Sequence, residues 1–253
     1  MPRCFALIPC AGSGLRAATQ KNALPKQYWP IQGKPMLWHA LTTLSQHPAI
    51  SLTNLVLAPN DTCFVEQFES YLDELGYGTP ACRWQVHYCG GKTRQESVLN
   101  GLNALARSGS IQEDDWILVH DAARPGLTTE MLNQLLNAVA GHEVGGILAL
   151  PLADTLKRAQ IIDDEFSSTF QAAATIAREG LWQAQTPQVF RFGLLYSALQ
   201  QAQAEGQVLT DEAAAVERLG LMPLLILGSL RNLKITYAHD LPLVNALMGV
   251  ETV

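Results

Sequence analysis

Little in this sequence points toward a metal knuckle, a membrane or a nucleic acid. Its five cysteines, Cys4, Cys10, Cys63, Cys82 and Cys89, all fall in the first part of the chain, and no two form a C-x-x-C pair. That pattern argues against a zinc site, and the thiols read as reduced, mostly buried apolar residues. No apolar run reaches the ~20 residues that span a bilayer, and the chain enters a strand without signal-peptide architecture. A cytoplasmic protein is the expectation. The net charge of −6 argues against a nucleic-acid surface. There is no internal repeat and no low-complexity segment. Apolar residues at 48 % and charged residues at 16 % are an ordinary globular balance, and 253 residues are enough to bury a full core.

What is present centres on Leu7-Ile8-Pro9-Cys10-Ala11-Gly12-Ser13-Gly14-Leu15-Arg16, continuing through Leu24-Pro25-Lys26-Gln27-Tyr28. Phe5 to Ile8 reads as a buried strand that breaks into a glycine loop. Glycine lets backbone N–H groups approach a ligand closely, and consecutive N–H groups in such a turn form an anion-binding concavity. Arg16, Lys21, Lys26 and Lys34 gather in and beyond this loop. Local positive charge on an acidic chain points to a small anionic ligand, and a polyphosphate suits it. The loop also fits Gly-x-Gly-x-x-Ala through Gly12, Gly14 and Ala17, but the acidic residue expected about 20 positions on is missing, which argues against a dehydrogenase. No Gly-Lys-Ser/Thr follows, so it is not a P-loop. A glycine pair after a strand can also be only a tight turn.

Strands and helices alternate through the first 150 residues. Helical spacing marks Pro35 to His47, with proline in the first turn. Leu55 to Ala58 reads as a strand, Asp61 to Leu75 as a helix capped by Asp61, and Trp84 to Tyr88 as a strand. A helix over Arg94 to Arg107, a strand at Trp116 to Val119, a helix through Leu132, Leu135, Leu136 and Val139, and a strand at Gly146 to Leu150 follow. This alternation predicts an α/β sandwich with a mostly parallel sheet. Residues 152 to about 185 break it. They are polar and too long for an ordinary connection, and read as an arm with two short candidate strands. Helices at Leu194 to Ala204 and from Thr210, with Thr210 as N-cap, come next. The chain closes with strands at Leu224 to Leu227 and Asn232 to Ile235 and a helix at Leu241 to Met248.

Three further constellations bear on chemistry. His120-Asp121-Ala122-Ala123-Arg124-Pro125 follows the strand Trp116 to Val119. Ligands bind beyond the carboxyl ends of such strands, so Asp121 is placed to hold magnesium, which takes one or two carboxylates plus substrate phosphates. The alternative is that Asp121 caps the turn or pairs with Arg124. Gly90-Gly91 with Ser97 could admit a flat base edge. Lys234, ending a strand, could supply a phosphate-facing cation, although an isolated lysine is usually solvated.

Taken together, these stretches resemble the 2-C-methyl-D-erythritol 4-phosphate cytidylyltransferases, in order and through nearly the whole chain. The most specific are Val119-His120-Asp121-Ala122-Ala123-Arg124-Pro125, Asp154-Thr155-Leu156-Lys157 and Thr186-Pro187-Gln188. Gly180-Leu181-Trp182, Thr210-Asp211-Glu212, Asn232-Leu233-Lys234-Ile235-Thr236 and Gly90-Gly91 with Arg94 and Ser97-Val98 add to them. The resemblance implies a three-layer, Rossmann-like nucleotidyltransferase fold forming one domain over residues 1–253, with a protruding β-arm at about 152–185 that serves dimerisation. It implies cytidylyl transfer from CTP to methylerythritol phosphate, with Mg2+, by a homodimer whose arm crosses into the neighbouring site. By the same resemblance Ala11, Gly12, Gly14, Gly90 and Ser97 would hold CTP, and Arg16 and Lys26 its phosphates. Asp121 would hold the metal. Arg124, Thr155, Arg178, Thr186, Thr210 and Lys234 would surround the sugar phosphate and the reacting centre. Because the nucleophile would be an already ionised phosphate oxygen, no general base is needed and His120 ranks as structural. Arg231 departs from the pattern, standing where some relatives place an acidic residue. A nucleotidyltransferase acting on another alcohol phosphate, or a non-catalytic nucleotide binder, would carry much of the same pattern.

Overall fold

The computed structural model describes residues 2–12, 24–164 and 167–249. Strand β1 (Cys4–Pro9) opens the chain, and Phe5, Ala6, Leu7 and Ile8 are all buried. A short hairpin of β2 (Pro30–Ile31) and β3 (Lys34–Pro35) leads into α1 (Met36–Gln46). Then come β4 (Ile50–Val56), α2 (Cys63–Phe68), β5 (Trp84–His87), α3 (Arg94–Ser108), β6 (Trp116–Val119), α4 (Thr129–Val139) and β7 (Gly145–Pro151). The arm is β8 (Leu156–Asp164) and β9 (Ser167–Ile176), and β10 (Trp182–Arg191) brings the chain back. Helices α5 (Phe192–Ala204) and α6 (Glu212–Glu217), strand β11 (Leu224–Leu227) and helix α7 (Asp240–Gly249) complete it.

Seven strands form one sheet in the order β11-β7-β10-β6-β1-β4-β5. Strand β10 runs antiparallel to both neighbours, and every other pair is parallel. Helices cover both faces, because parallel strands must be buried on both sides. Ala6 and Ile8 pack into one core with Leu37, Leu41, Phe68 and Leu132. Phe5 and Leu7 point the other way, into a second core with Val98, Leu102, Leu195 and Val216. The alternation of side-chain direction along a strand thus fills two cores from one short run. The chain steps from β1 outward to β4 and β5, then returns to place β6 on the other side of β1. That reversal opens a crevice beyond the carboxyl ends of β1 and β6.

The Trp116–Val119 and Leu224–Leu227 strands stand as expected. Four expectations are corrected. The helix expected to Leu75 ends at Phe68 and continues only as a 3-10 turn at Glu69–Tyr71, although Asp61 Oδ1 does accept from the N–H groups of Cys63 and Phe64. The cap of α6 is Asp211, not Thr210; its carboxylate accepts from Ala214 N–H. Asn232 to Ile235 is not a strand. Leu230–Asn232 is a 3-10 turn, and beyond it Ile235 N–H bonds the Ala123 carbonyl without any ladder. The arm strands are long, not short, and form a two-stranded sheet of their own. Residues 182–188 also belong to a strand that their polar composition hid. The register of β10 against β7 breaks between Ala184 and Gln188, and Pro187, in a cis bond to Thr186, sits in that break, where a sheet tolerates proline. Of the five free cysteines only Cys4 and Cys10 are buried; the other three are half-buried. No described helix is long and apolar enough to cross a membrane.

Helix α3 lies close on the sheet through Gly101. A Cβ there would sit 2.6 Å from Leu7 Cδ1 and 2.7 Å from Val56 Cγ2, both fully buried. Gly101→Val should therefore destabilise the fold by about 1–3 kcal/mol through overpacking, despite the better helix propensity of valine. A lowered urea midpoint at unchanged slope is the expected readout; an unchanged midpoint would mean that the interface can give.

Candidate active site

An open cleft of about 800 Å³ lies at the β1/β6 crevice, within the usual range for a small-molecule site. Cys10, Ala11 and Gly12 form one wall as they leave β1. Cys10 N–H is held by the Val56 carbonyl, and Gln27 Nε2 donates to the Cys10 carbonyl at 2.9 Å. A Cβ on Gly12 would meet no atom of the described residues within 4 Å. Gly90 differs: a Cβ there would be 2.1 Å from Ala11 Cβ and 2.8 Å from the Leu57 carbonyl oxygen. Its role on this side is to let the β5 loop pass against the β1 loop. Gly14 and Arg16, with Ala17 and Lys21, lie outside the described residues. Lys26 lines the cleft, and its Nζ donates to the Ile235 carbonyl at 2.6 Å.

The floor is Asp121. Its Oδ1 accepts from Arg94 Nε at 2.8 Å, its Oδ2 accepts from Lys234 Nζ at 2.7 Å, and Arg124 Nε stands 3.8 Å from Oδ2. Burial alone would raise the carboxyl pKa, but the cations of Arg94, Lys234 and Arg124 overcome it and hold the group well below the usual carboxylate range. Asp121 is thus ionised. Arg94 is doubly held, since both terminal nitrogens donate to Glu212, at 2.7 and 2.9 Å. Glu212 is 1 % exposed, so its charge is compensated almost wholly by Arg94. Burial would lower the guanidinium pKa, yet Glu212 and Asp121 more than offset that and raise it.

The N-terminus of α3 forms the opposite wall, and the turn that leads into it is tied to the first helical residues. Thr93 Oγ1 accepts from Glu96 N–H, Glu96 Oε2 accepts from Lys92 N–H, and Ser97 Oγ accepts from Gly91 N–H at 3.0 Å while donating to the Thr93 carbonyl. Ser97 therefore shapes the Gly90-Gly91 turn. Glu96 thus places its carboxylate at the positive end of α3, beside Lys92 and Arg94.

His120 is fully buried behind this floor. The Arg124 carbonyl can only accept, so Nε2, 3.1 Å away, carries the proton. Nδ1 then accepts from the Thr186 hydroxyl at 3.1 Å, and the hydroxyl oxygen accepts from Asp121 N–H at 3.0 Å. This relay fixes the Asp121 backbone and leaves no lone pair on His120 for a substrate proton. Arg124, also buried, donates to the carbonyls of Asn232 at 2.8 Å and Ala184 at 3.4 Å. Within this chain Arg124 and Thr186 brace the floor. Thr155, Arg178 and Thr210 are exposed and do not line the cleft.

Sequence reasoning gave no role to Arg94, Glu212 or Gln27. Arg94 and Glu212 stood in the matched pattern, and neither position announces a partner 118 residues away.

Burial pushes the His120 pKa down to about 4, against 6.5 in an unfolded chain. The unfolded state thus binds the extra proton first, and stability contributed by neutral His120 is intact above about pH 6.5 and is lost as pH falls toward 4. From pH 7 to pH 5 this group should cost ~2 kcal/mol. Urea midpoints for the wild type and His120→Asn over that range check it: the variant should show the shallower pH dependence, and equal slopes would place the proton elsewhere.

Residues 4–250 match the family model described as 2-C-methyl-D-erythritol 4-phosphate cytidylyltransferase. The chain is 48 % identical to the protein of that name from Cupriavidus pinatubonensis, over 98 % of this chain and 94 % of that one. It is likewise 48 % identical to the one from Paraburkholderia phytofirmans, over 98 % and 96 %. Among solved structures it superposes on a 4-diphosphocytidyl-2C-methyl-D-erythritol synthase with TM-score 0.79 at 40 % identity, covering 98 % of this chain and 99 % of that one. The Thermus thermophilus 2-C-methyl-D-erythritol 4-phosphate cytidylyltransferase gives 0.71 at 25 %, covering 98 % and 100 %. With the cleft at the sheet's switch point and Asp121, Arg94, Lys26 and Lys234 of the matched motifs lining it, the chain belongs to the 2-C-methyl-D-erythritol 4-phosphate cytidylyltransferase family.

Proposed function

We propose that this protein transfers a cytidylyl group from CTP to 2-C-methyl-D-erythritol 4-phosphate, with Mg2+, as a cytoplasmic homodimer. The observation that carries the reading is the pairing of Lys234 and Arg94 with one ionised carboxylate, in a cleft that Lys26 also lines and that admits a nucleotide. A phosphate oxygen of the acceptor, already ionised at neutral pH, attacks the α-phosphorus of CTP. The bond from that phosphorus to the bridging oxygen breaks, and pyrophosphate leaves with the electron pair. No proton needs to be removed, in keeping with the buried, fully bonded His120. The protein's task is to bring two anions together and to hold charge as it moves to the leaving group. Lys26, with Arg16, would face the phosphates of CTP. Lys234, with Arg178, would orient the acceptor phosphate. Ala11, Gly12 and Gly14 would lie along the nucleotide, and Gly90 and Ser97 would shape the base site.

The residues present suit magnesium. Asp121 is ionised, and a carboxylate has about four acceptor sites, of which Arg94 and Lys234 take one each. Among the described residues no group of three or more potential protein ligands exists, as expected for an ion that arrives with substrate phosphates rather than one held in a protein cage. Bound there, the metal would supply charge neutralisation on the phosphates.

The exposed hairpin carries Thr155 at its entry and Arg178 at its exit, away from this cleft, with Ile161 and Phe170 60 % and 64 % exposed on it. A second copy would cover these side chains and receive Thr155 and Arg178 in its own site. Thr210 would contribute to the acceptor side. A second reading, transfer to a different alcohol phosphate, keeps the nucleotide side and changes only the acceptor.

Pyrophosphate release from each of the four NTPs, with and without methylerythritol phosphate, tests both readings. Release should need CTP, the acceptor and Mg2+ together, and release with another phosphorylated alcohol alone would replace the substrate. Lys26→Met should lower kcat by roughly 10²-fold or more with a smaller change in KM; full activity would remove it from the phosphate site. Asp121→Asn should raise the magnesium requirement, and an unchanged metal titration would place the ion elsewhere. For shared sites, Lys26→Met and Arg178→Ala homodimers should each be inactive. Dissociated and reassembled together, they should regain roughly a quarter of wild-type activity, because half the dimers are mixed and each mixed dimer has one intact site. Verified heterodimers no more active than their parents would mean that the arm serves its own subunit.

A further inference from the structure

Glu212 is a buried carboxylate that the reaction above does not use. It comes from α6, and among the described residues its carboxylate is bonded to Arg94 alone, through both terminal guanidinium nitrogens. Arginine and carboxylate prefer this two-point geometry. Asp121 receives instead a single N–H from Arg94, the Nε proton, and its second oxygen goes to Lys234. Without Glu212, the same guanidinium would be free to turn and close on Asp121 with two points, filling lone pairs that a metal needs.

We propose that Glu212 is a positioning residue for the metal-nucleotide complex: by holding the fork of Arg94, it limits Arg94 to one bond on Asp121 and leaves that carboxylate lone pairs able to accept a cation. The inference rests on the cytidylyltransferase reading. It predicts effects of opposite kind on metal and nucleotide. Removing the Glu212 charge leaves the cleft more positive, so CTP alone should bind as well or more tightly. The added affinity that Mg2+ gives to CTP should shrink by roughly 10–100-fold, as is usual when a partner behind a metal ligand is lost. A merely structural defect would weaken both together.

Calorimetric CTP affinities in EDTA and in saturating Mg2+ provide the test, with no acceptor and no turnover. Wild type should bind more tightly with the metal; wild type that binds no CTP refutes the functional reading, and equal affinities refute its metal component. In Glu212→Gln the EDTA affinity should hold and the Mg2+ enhancement should fall. A retained enhancement, or a parallel loss of both affinities, overturns the proposal. In Arg94→Gln/Glu212→Gln the amide at 94 cannot close as a charged fork on Asp121, so the enhancement should return to at least the wild-type ratio. Should the single variant fail to fold, the double variant decides alone: a ratio at or above wild type upholds the proposal, and a lower one overturns it.

Discussion

The carboxylate of Asp121 is the charge on which the site depends. It is 7 % exposed, and an ionised group taken that far out of water must be paired. Its partners come from three separated parts of the chain: Arg94 from the start of α3, Arg124 from the turn after β6, and Lys234 from the segment after the last 3-10 turn. Each pairing therefore fixes the place of one element at the cleft. Removal of one member of such a buried set typically costs about 3–5 kcal/mol, because the remaining charge is stranded. The same constraint explains Glu212. A second buried carboxylate behind Arg94 balances a cluster that would otherwise hold three cations on one anion.

The sheet makes this convergence possible. Strand β1 has β4 on one side and β6 on the other, so the loops after β1 and β6 diverge around an open crevice. Antiparallel β10 passes beside β6, with Gln188 opposite Val119, and so delivers Thr186 to the start of the Asp121 turn. Arg124 reaches back to the Ala184 and Asn232 carbonyls. The backbone on the β10 side of the floor is thus cross-braced by hydrogen bonds to carbonyl and hydroxyl groups, while the side chains facing the cleft are charged. Polar groups inside are used for position, and the cations at the cleft are held by Asp121, Glu212 and the Ile235 carbonyl.

Two walls bound the cleft. At α3 the entry turn is tied to Thr93, Glu96 and Ser97, and that wall carries Lys92 and Arg94 beside the Glu96 carboxylate. Across from it stand Gly12 and Lys26.

Local pattern by itself determined the alternating elements of the first 150 residues, because buried parallel strands and amphipathic helices have distinct periods that neighbouring residues set. It also marked Asp121, since an aspartate directly after a buried strand lies at the sheet's carboxyl edge. Sequence pattern did not reveal β10, whose Trp182–Gln188 stretch is polar because it mixes an exposed start with side chains bonded inside the site, nor the irregular path of Asn232 to Ile235, whose burial comes from the Asp121 turn. What Arg94, Glu212, Thr186 and Gln27 do was decided only by the tertiary structure. Their partners lie 17 to 118 residues away, and a hydrogen bond or ion pair between distant positions leaves no period in the chain. Charge at a residue is written in the sequence; which opposite charge it meets, and how much water is left around the pair, is set by the fold.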